Sequence, residues 1–169
     1  WRRHAHFPEH APAALPRRAR RLTRHDLRLQ APARQLRWEG GRLRLSGDAW
    51  VTRVDAASLF SHTKAVQLRL AGSRRRIVLP VRNRFRPERT ASSGGRAHCY
   101  DWAGYEVVID PDRLKTHGGW EEGTWLVGVG LVAPGLVRTG PVVPPGRGHP
   151  AGYPPYHWVS EEHRIVPSM

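Results

Sequence analysis

The sequence predicts an all-β protein built of antiparallel sheets packed face to face, and three observations predict it. From Leu36 to Val143 apolar and polar residues alternate with a period of two, which is how strands with one buried face read. Breaks rich in Gly, Pro, Asp and Ser interrupt that rhythm every roughly 8 to 12 residues, the spacing of short strands joined by turns. No stretch carries the 3.6-residue apolar periodicity of a long amphipathic helix.

Taken in order, Leu36 and Trp38 alternate with Arg37 and Glu39 in a first strand, and Gly40-Gly41 turns the chain. In the second strand Leu43, Leu45, Ala49 and Val51 share one face while Arg42, Arg44, Ser46 and Asp48 take the other. Two glycines between alternating runs are a hairpin signature, because the tightest hairpin turn needs positive φ at both central positions. Val66, Leu68 and Leu70 alternate with Gln67 and Arg69 in a third strand. Ala71-Gly72-Ser73-Arg74 then reverses direction, and Ile77, Leu79 and Val81 return as a fourth. Tyr105, Val107 and Ile109 against Glu106 make a fifth, stopped at Asp110-Pro111-Asp112. Residues 124–132 and 136–143, joined through Pro134-Gly135, supply the last pair, with Trp125, Val127, Val129 and Leu131 on one face. Seven such strands over about 110 residues are the expectation for an immunoglobulin-like antiparallel β-sandwich, with a small barrel as the alternative. Trp38 and Trp125 are expected in its core, leaving Trp50, Trp102, Trp120 and Tyr153 as exposed rings able to stack on sugars or bases.

The flanks read differently. Residues 1–33, rich in Arg, Ala, Pro and His, form an irregular basic tail or linker; 34–143 are the sandwich; 144–169 are a Pro/Gly-rich extension leading toward a following β-domain. Tyr153, Tyr156 and Trp158 are placed to anchor that extension. Residues 82–98, with four arginines up to Arg89 and the Ser92-Ser93-Gly94-Gly95 patch, read as a long polar loop. Both ends, Trp1 and Val166-Pro167-Ser168-Met169, read as cut from a longer chain.

Among 169 residues, 28 Lys+Arg against 14 Asp+Glu give a formal charge of +14. A polyanion is therefore the first partner to consider. Only Lys64 and Lys115 are lysines, and Arg, Gly, Pro and Ala all have G+C-rich codons, so a G+C-rich genome accounts for part of the arginine excess. The lone Cys99 excludes an internal disulfide and fits a reducing compartment. No run approaches the roughly 18 apolar residues of a membrane span, and the first residues carry no signal-peptide pattern. These features predict a cytoplasmic location.

Motif by motif, the chemistry thins out. His4, His6 and His10 lie in a tail without a rigid frame and without a cysteine or carboxylate partner at ligand spacing, so no metal site is expected. Gly128-Val129-Gly130 sits inside a strand pattern rather than opening a helix, which removes it as a phosphate loop and leaves a bulge or close packing. Asp110 and Asp112 flank Pro111 as turn residues. His98 and Cys99, as strand neighbours, point to opposite faces, and the thiol reads as structural and buried. Ser92-Ser93 lacks the strand and helix of a nucleophile elbow. No catalytic residue, cofactor or metal is expected in this segment. What remains is a basic set, Arg74, Arg75, Arg76, Arg82, Arg84 and Arg86, on one hairpin and its exit. Guanidinium forks suit phosphate oxygens, although charged residues also serve simply to protect a sheet edge.

Three strings carry a resemblance: Trp38-Glu-Gly-Gly-Arg-Leu-Arg-Leu-Ser-Gly-Asp-Ala-Trp50, Cys99-Tyr-Asp-Trp-Ala-Gly-Tyr-Glu-Val-Val-Ile-Asp110 and Trp120-Glu-Glu-Gly-Thr-Trp125. Over roughly residues 30 to 143 the chain resembles the linker module of bacterial wall-teichoic-acid glycosyltransferases of the TarS type. It is similar also to accessory domains of actinobacterial CDP-glycerol glycerophosphotransferase-like proteins. The resemblance implies an immunoglobulin-like linker between a nucleotide-sugar-using catalytic domain and C-terminal β-domains. The catalytic motifs of that family have no counterpart here, so no catalytic residue is carried over. The expected partners are the other domains of the same transferase and an anionic polyol-phosphate polymer. Contact with the membrane is expected only peripherally, at its inner face. Two other classes stand beside this one: a stand-alone carbohydrate- or polyol-phosphate-binding module, and a nucleic-acid-binding protein suggested by charge alone, without an RNP-like, KH or helix-turn-helix signature.

Overall fold

The computed structural model describes residues 23, 26–93, 98–116, 119–120, 123–143, 157–158 and 164–167. In chain order the strands are β1 (Leu29–Gln30), β2 (Ala33–Glu39), β3 (Arg42–Asp48), β4 (Trp50–Val51), β5 (Thr63–Leu70), β6 (Arg76–Pro80) and β7 (Arg82–Arg84). A six-residue helix α1 (Pro87–Ser92) follows, then β8 (Gly104–Ile109), a 3₁₀ turn (Pro111–Leu114), β9 (Lys115–Thr116), β10 (Gly119–Trp120), β11 (Thr124–Ala133), β12 (Leu136–Pro141), β13 (His157–Trp158) and β14 (Arg164–Pro167). The fold is all-β with antiparallel sheets, and each of the seven strands expected from the alternation is present.

Two sheets carry the molecule. The first has the order β2-β3-β8-β7; the second runs β13-β14-β11-β5-β6, with β12 also on β11. Strand β11 divides its outer edge: Thr124–Val127 pair in parallel with β14, and Gly128–Ala133 pair antiparallel with β12. The inward residues of both sheets form a single cluster, in which Leu43, Leu45, Val107 and Ile109 from the first sheet share a core with Val66, Leu68, Trp125 and Val127 from the second. Each of these sits on the apolar phase of its strand, so a one-residue slip in register would turn the whole set toward water. Trp125 is buried as expected, and Trp38 packs at the margin of the same core.

The sheets are joined along both sides. On one, β6 runs into β7 through the single residue Val81, so one length of chain serves both sheets. On the other, Pro32 and Val143 form a parallel bridge, with Ala33 N–H donating to Val143 O at 2.7 Å and Val143 N–H donating to Ala31 O at 2.9 Å. The turns obey their glycines: Gly40 and Gly41 have φ of +55° and +72°, the pair of left-handed residues that a two-residue hairpin matched to strand twist requires.

Three expectations need correction. Residues 26–33 belong to the fold rather than to the tail: Leu27 is buried in a second, smaller cluster with Val51, Val54, Leu131 and Leu136, and β1 pairs with β4. Sequence masks this because five arginines between Arg17 and Arg24 surround the apolar positions, and only a tertiary partner reveals that Leu27 has somewhere to go. Residues 82–98 are not one long loop. Arg82–Arg84 pair with β8, and Pro87–Ser92 form α1, started by Pro87 in its first turn. Within the extension, His157–Trp158 and Arg164–Pro167 are strands added to the second sheet, where the Pro and Gly content predicts irregular chain. The expectations placed on residues 1–22 and on Tyr153 and Tyr156 lie outside the described residues.

Candidate functional site

The structure divides the predicted arginine set between two faces. Arg74 lies exposed in the β5–β6 turn, and Arg75 folds back so that its guanidinium sits 5.3 Å from the centre of the Trp125 ring and donates to Lys115 O at 2.7 Å. Arg76 opens β6 on the outer face of the second sheet. Arg82 and Arg84 lie on β7, in the first sheet, and Arg86 follows it with Nη1 3.5 Å from Glu88 Oε1.

On the outer face of the first sheet the arginines are spent on carboxylates. Arg37 and Arg44 are direct cross-strand partners, an unfavourable pairing of like charges taken alone. Glu39 answers both, with Oε2 3.4 Å from Arg37 and in contact with Arg44 Nε. Glu106 accepts from Arg44 Nη1 at 3.0 Å and from Arg84 Nε at 2.8 Å, with Arg84 Nη2 closing a second bond. Those hydrogen bonds, that from Arg84 first, hold the Glu106 carboxyl below the usual carboxylate range.

The outer face of the second sheet repeats the arrangement without an acid among the described residues. Arg69 and Arg76 are direct cross-strand partners on β5 and β6, and among the described residues neither has an ion-pair or side-chain hydrogen-bond partner. Beside them runs an open groove of about 310 Å³, bounded by Gln67, Arg69, Arg76 and Thr139 over a floor of Leu126 and Gly128. Gly128 and Gly130 both lie on this face of β11, in unbroken register with β5 and β12, so neither marks a bulge. At Gly128 a Cβ would stand 3.0 Å from Gly140 O, whereas at Gly130 the nearest atom would be 3.7 Å away, which is ordinary contact. Close packing therefore explains the first glycine and not the second.

The catalytic constellations weighed from sequence do not assemble. His98 Nδ1 faces Asp55 at 3.3 Å, while the half-buried Cys99 Sγ accepts from the Thr90 hydroxyl at 3.9 Å. Asp110 Oδ1 accepts from Asp112 N–H at 3.0 Å and caps the 3₁₀ turn, as its place beside Pro111 predicts. Ser92 and Ser93 donate to carbonyls of α1. Trp50 lies under the Arg89 guanidinium, 4.4 Å from its ring centre, and Trp102 packs against Phe85 at 5.3 Å, so neither ring is the free stacking platform expected. Among the described residues no group of three or more His, Cys, Asp or Glu is placed to hold a metal, and no helix is long and apolar enough to cross a membrane.

Sequence reasoning missed a buried polar cluster at the end of the core. The Lys64 ammonium is buried and donates to Trp102 O at 2.6 Å, with His62 Nε2 at 3.0 Å. Burial, and then the Lys64 charge, push His62 down to about 4, which keeps the ring neutral and lets Nε2 accept. Burial likewise lowers Lys64 to about 8, opposed by the charge of buried Asp48. Asp48 in turn accepts from Arg34 Nε at 2.8 Å. Lys64 gave no signal in the sequence beyond standing on the apolar phase of β5, in line with Val66, Leu68 and Leu70.

Comparison with known proteins finds no matching family model, no similar curated protein and no similar solved structure.

Proposed function

We infer that residues 26–143 are an immunoglobulin-like linker or scaffold module, non-catalytic in itself, of a bacterial glycosyltransferase or glycerophosphotransferase that builds a teichoic-acid-type polymer. The module works in the cytoplasm beside the inner face of the membrane, its partners the transferase's other domains and its anionic product. One observation carries the reading: the space between the sheets is filled by interlocking side chains, and the charged or basic groups at its end, Asp48, His62 and Lys64, bond to Arg34, to one another and to Trp102 O. Strand order supports the immunoglobulin-like assignment. The first sheet, β2-β3-β8-β7, follows the A-B-E-D order, and β5-β11-β12 the C-F-G order of such sandwiches, with the chain crossing between the sheets at Val81, after β6. The three resemblance strings support it further, since they fall on the β2–β4 hairpin region, on β8 and its approach, and on the start of β11.

The coding sequence on either side of this segment is the direct test. A glycosyltransferase or glycerophosphotransferase domain in the same reading frame is the expected finding; flanking frame that encodes neither overturns the proposal. Within such a protein, deleting residues 26–143 should lower polymer synthesis while donor binding by the catalytic domain is retained.

A further inference from the structure

We propose that the groove beside Arg69 and Arg76 is a binding site for phosphate groups carried on a hydroxylated, base-free chain of the polyol-phosphate kind. The starting point is a cost the fold does not relieve. Like charges directly opposite on neighbouring strands destabilise a sheet, and the other such pair, Arg37 and Arg44, is neutralised by Glu39 and Glu106. Arg69 and Arg76 occupy the corresponding places around their own turn and have no carboxylate among the described residues. An anion seated between the two guanidinium forks supplies the missing charge, and a phosphate presents the oxygens that planar forks bind in pairs.

The rest of the groove specifies what the phosphate is attached to. Gln67 and Thr139 bring an amide and a hydroxyl to its two sides, groups suited to alcohol oxygens. Its floor at Gly128 is bare main chain, and Gly130 continues that bareness although a side chain would fit there. Glycine within a strand weakens it and marks places where another chain comes close to the backbone. None of the described lining residues is aromatic. Proteins that hold single-stranded nucleic acid add aromatic rings for base stacking to a basic groove, so a chain without bases fits this groove better than one with them. The inference rests on the geometry of this face and not on membership of a transferase, so flanking sequence that removes the membership leaves it standing.

The test uses the full 169-residue chain. Binding of a synthetic glycerol-phosphate oligomer is measured for the wild type, for R69Q/R76Q, and for R28Q/R113Q, which removes the same charge from exposed positions elsewhere. The groove variant should lose about tenfold or more in affinity, the surface variant no more than about threefold. Equal losses in the two would reduce the attraction to net charge and overturn the proposal. Folding is followed in parallel: R69Q/R76Q should melt at or above the wild-type temperature. Inorganic phosphate at constant ionic strength should raise the melting temperature of the wild type but not of R69Q/R76Q, and a rise of the same size in both would also overturn the site. An oligothymidylate with the same number of phosphates is the last arm. Weaker binding than the glycerol-phosphate oligomer supports a base-free ligand; tighter binding abolished by R69Q/R76Q would replace that ligand with nucleic acid.

Discussion

The two hairpins of this molecule are built alike and finished differently. In each, an arginine precedes the turn and another follows it at the same remove, giving Arg37 opposite Arg44 and Arg69 opposite Arg76. On the first hairpin β8 brings Glu106 alongside, and Glu39 stands one outward-facing position from Arg37, so the charges close on themselves. On the second the neighbour is β11, which offers Leu126 and Gly128 in place of an acid. Identical local chemistry thus becomes structure on one face and an unsatisfied demand for an anion on the other, and the third strand in line makes the difference.

That contrast can be tested by titration first, where the effect is largest. The first face depends on a carboxylate and the core on a neutral histidine. Glu106 holds its proton less tightly folded than unfolded, so its stabilisation is present above its ordinary value of 4.5 and fades as pH falls below it. His62, lowered from 6.5 to about 4, is protonated more readily in the unfolded chain, so stability is lost as pH falls through that interval. Melting followed by circular dichroism should therefore fall by on the order of 5–10 °C between pH 7 and pH 4. E106Q should keep the part between 6.5 and 4 and lose the part below.

Removing the acid breaks the comparison outright. E106Q removes the carboxylate from Arg84 and leaves Arg44 with Glu39 alone, and should cost about 1 kcal/mol in chemical denaturation at neutral pH, the scale of partly exposed charged hydrogen bonds. The same variant should acquire stabilisation by phosphate on a face where the wild type has none. A smaller change in the opposite direction is expected for R69T, which relieves the unbalanced pair and replaces arginine by a good strand former. Its unfolding free energy in phosphate-free buffer should rise by about 0.2–1 kcal/mol. The mildest substitution, Q67E, gives the second face an acid diagonal to Arg76. It should add a few tenths of a kcal/mol by denaturation, within the usual range for an exposed pair, and weaken phosphate binding by competition.

Much of the fold was legible because strand alternation is a local signal. The seven main strands and their core residues, Leu43 and Leu45 through Trp125 and Val127, follow from period two and glycine turns. Arg69 and Arg76 could have been paired in advance, since they stand equidistant from the Gly72-Ser73 turn. Clustering arginines by sequence proximity instead joined Arg76 to Arg82 and Arg84, which the switch at Val81 sends to the opposite face. Nothing local revealed that Glu106 would lie against Arg44 and Arg84, because that contact spans β3, β8 and β7. Burial of Lys64 was equally hidden, for its partners are a main-chain carbonyl at Trp102 and a histidine whose neutrality depends on the burial itself.

The parallel bridge at Pro32 and Val143 fixes the route of the polypeptide past the module. Chain arriving at Pro32 and chain departing from Val143 run side by side in one direction, so the intervening residues form a bulky detour that returns to its own track. Drawing those two points apart would first have to break the pair of main-chain bonds that ties them, so the stretch between them is closed on itself like a clasp.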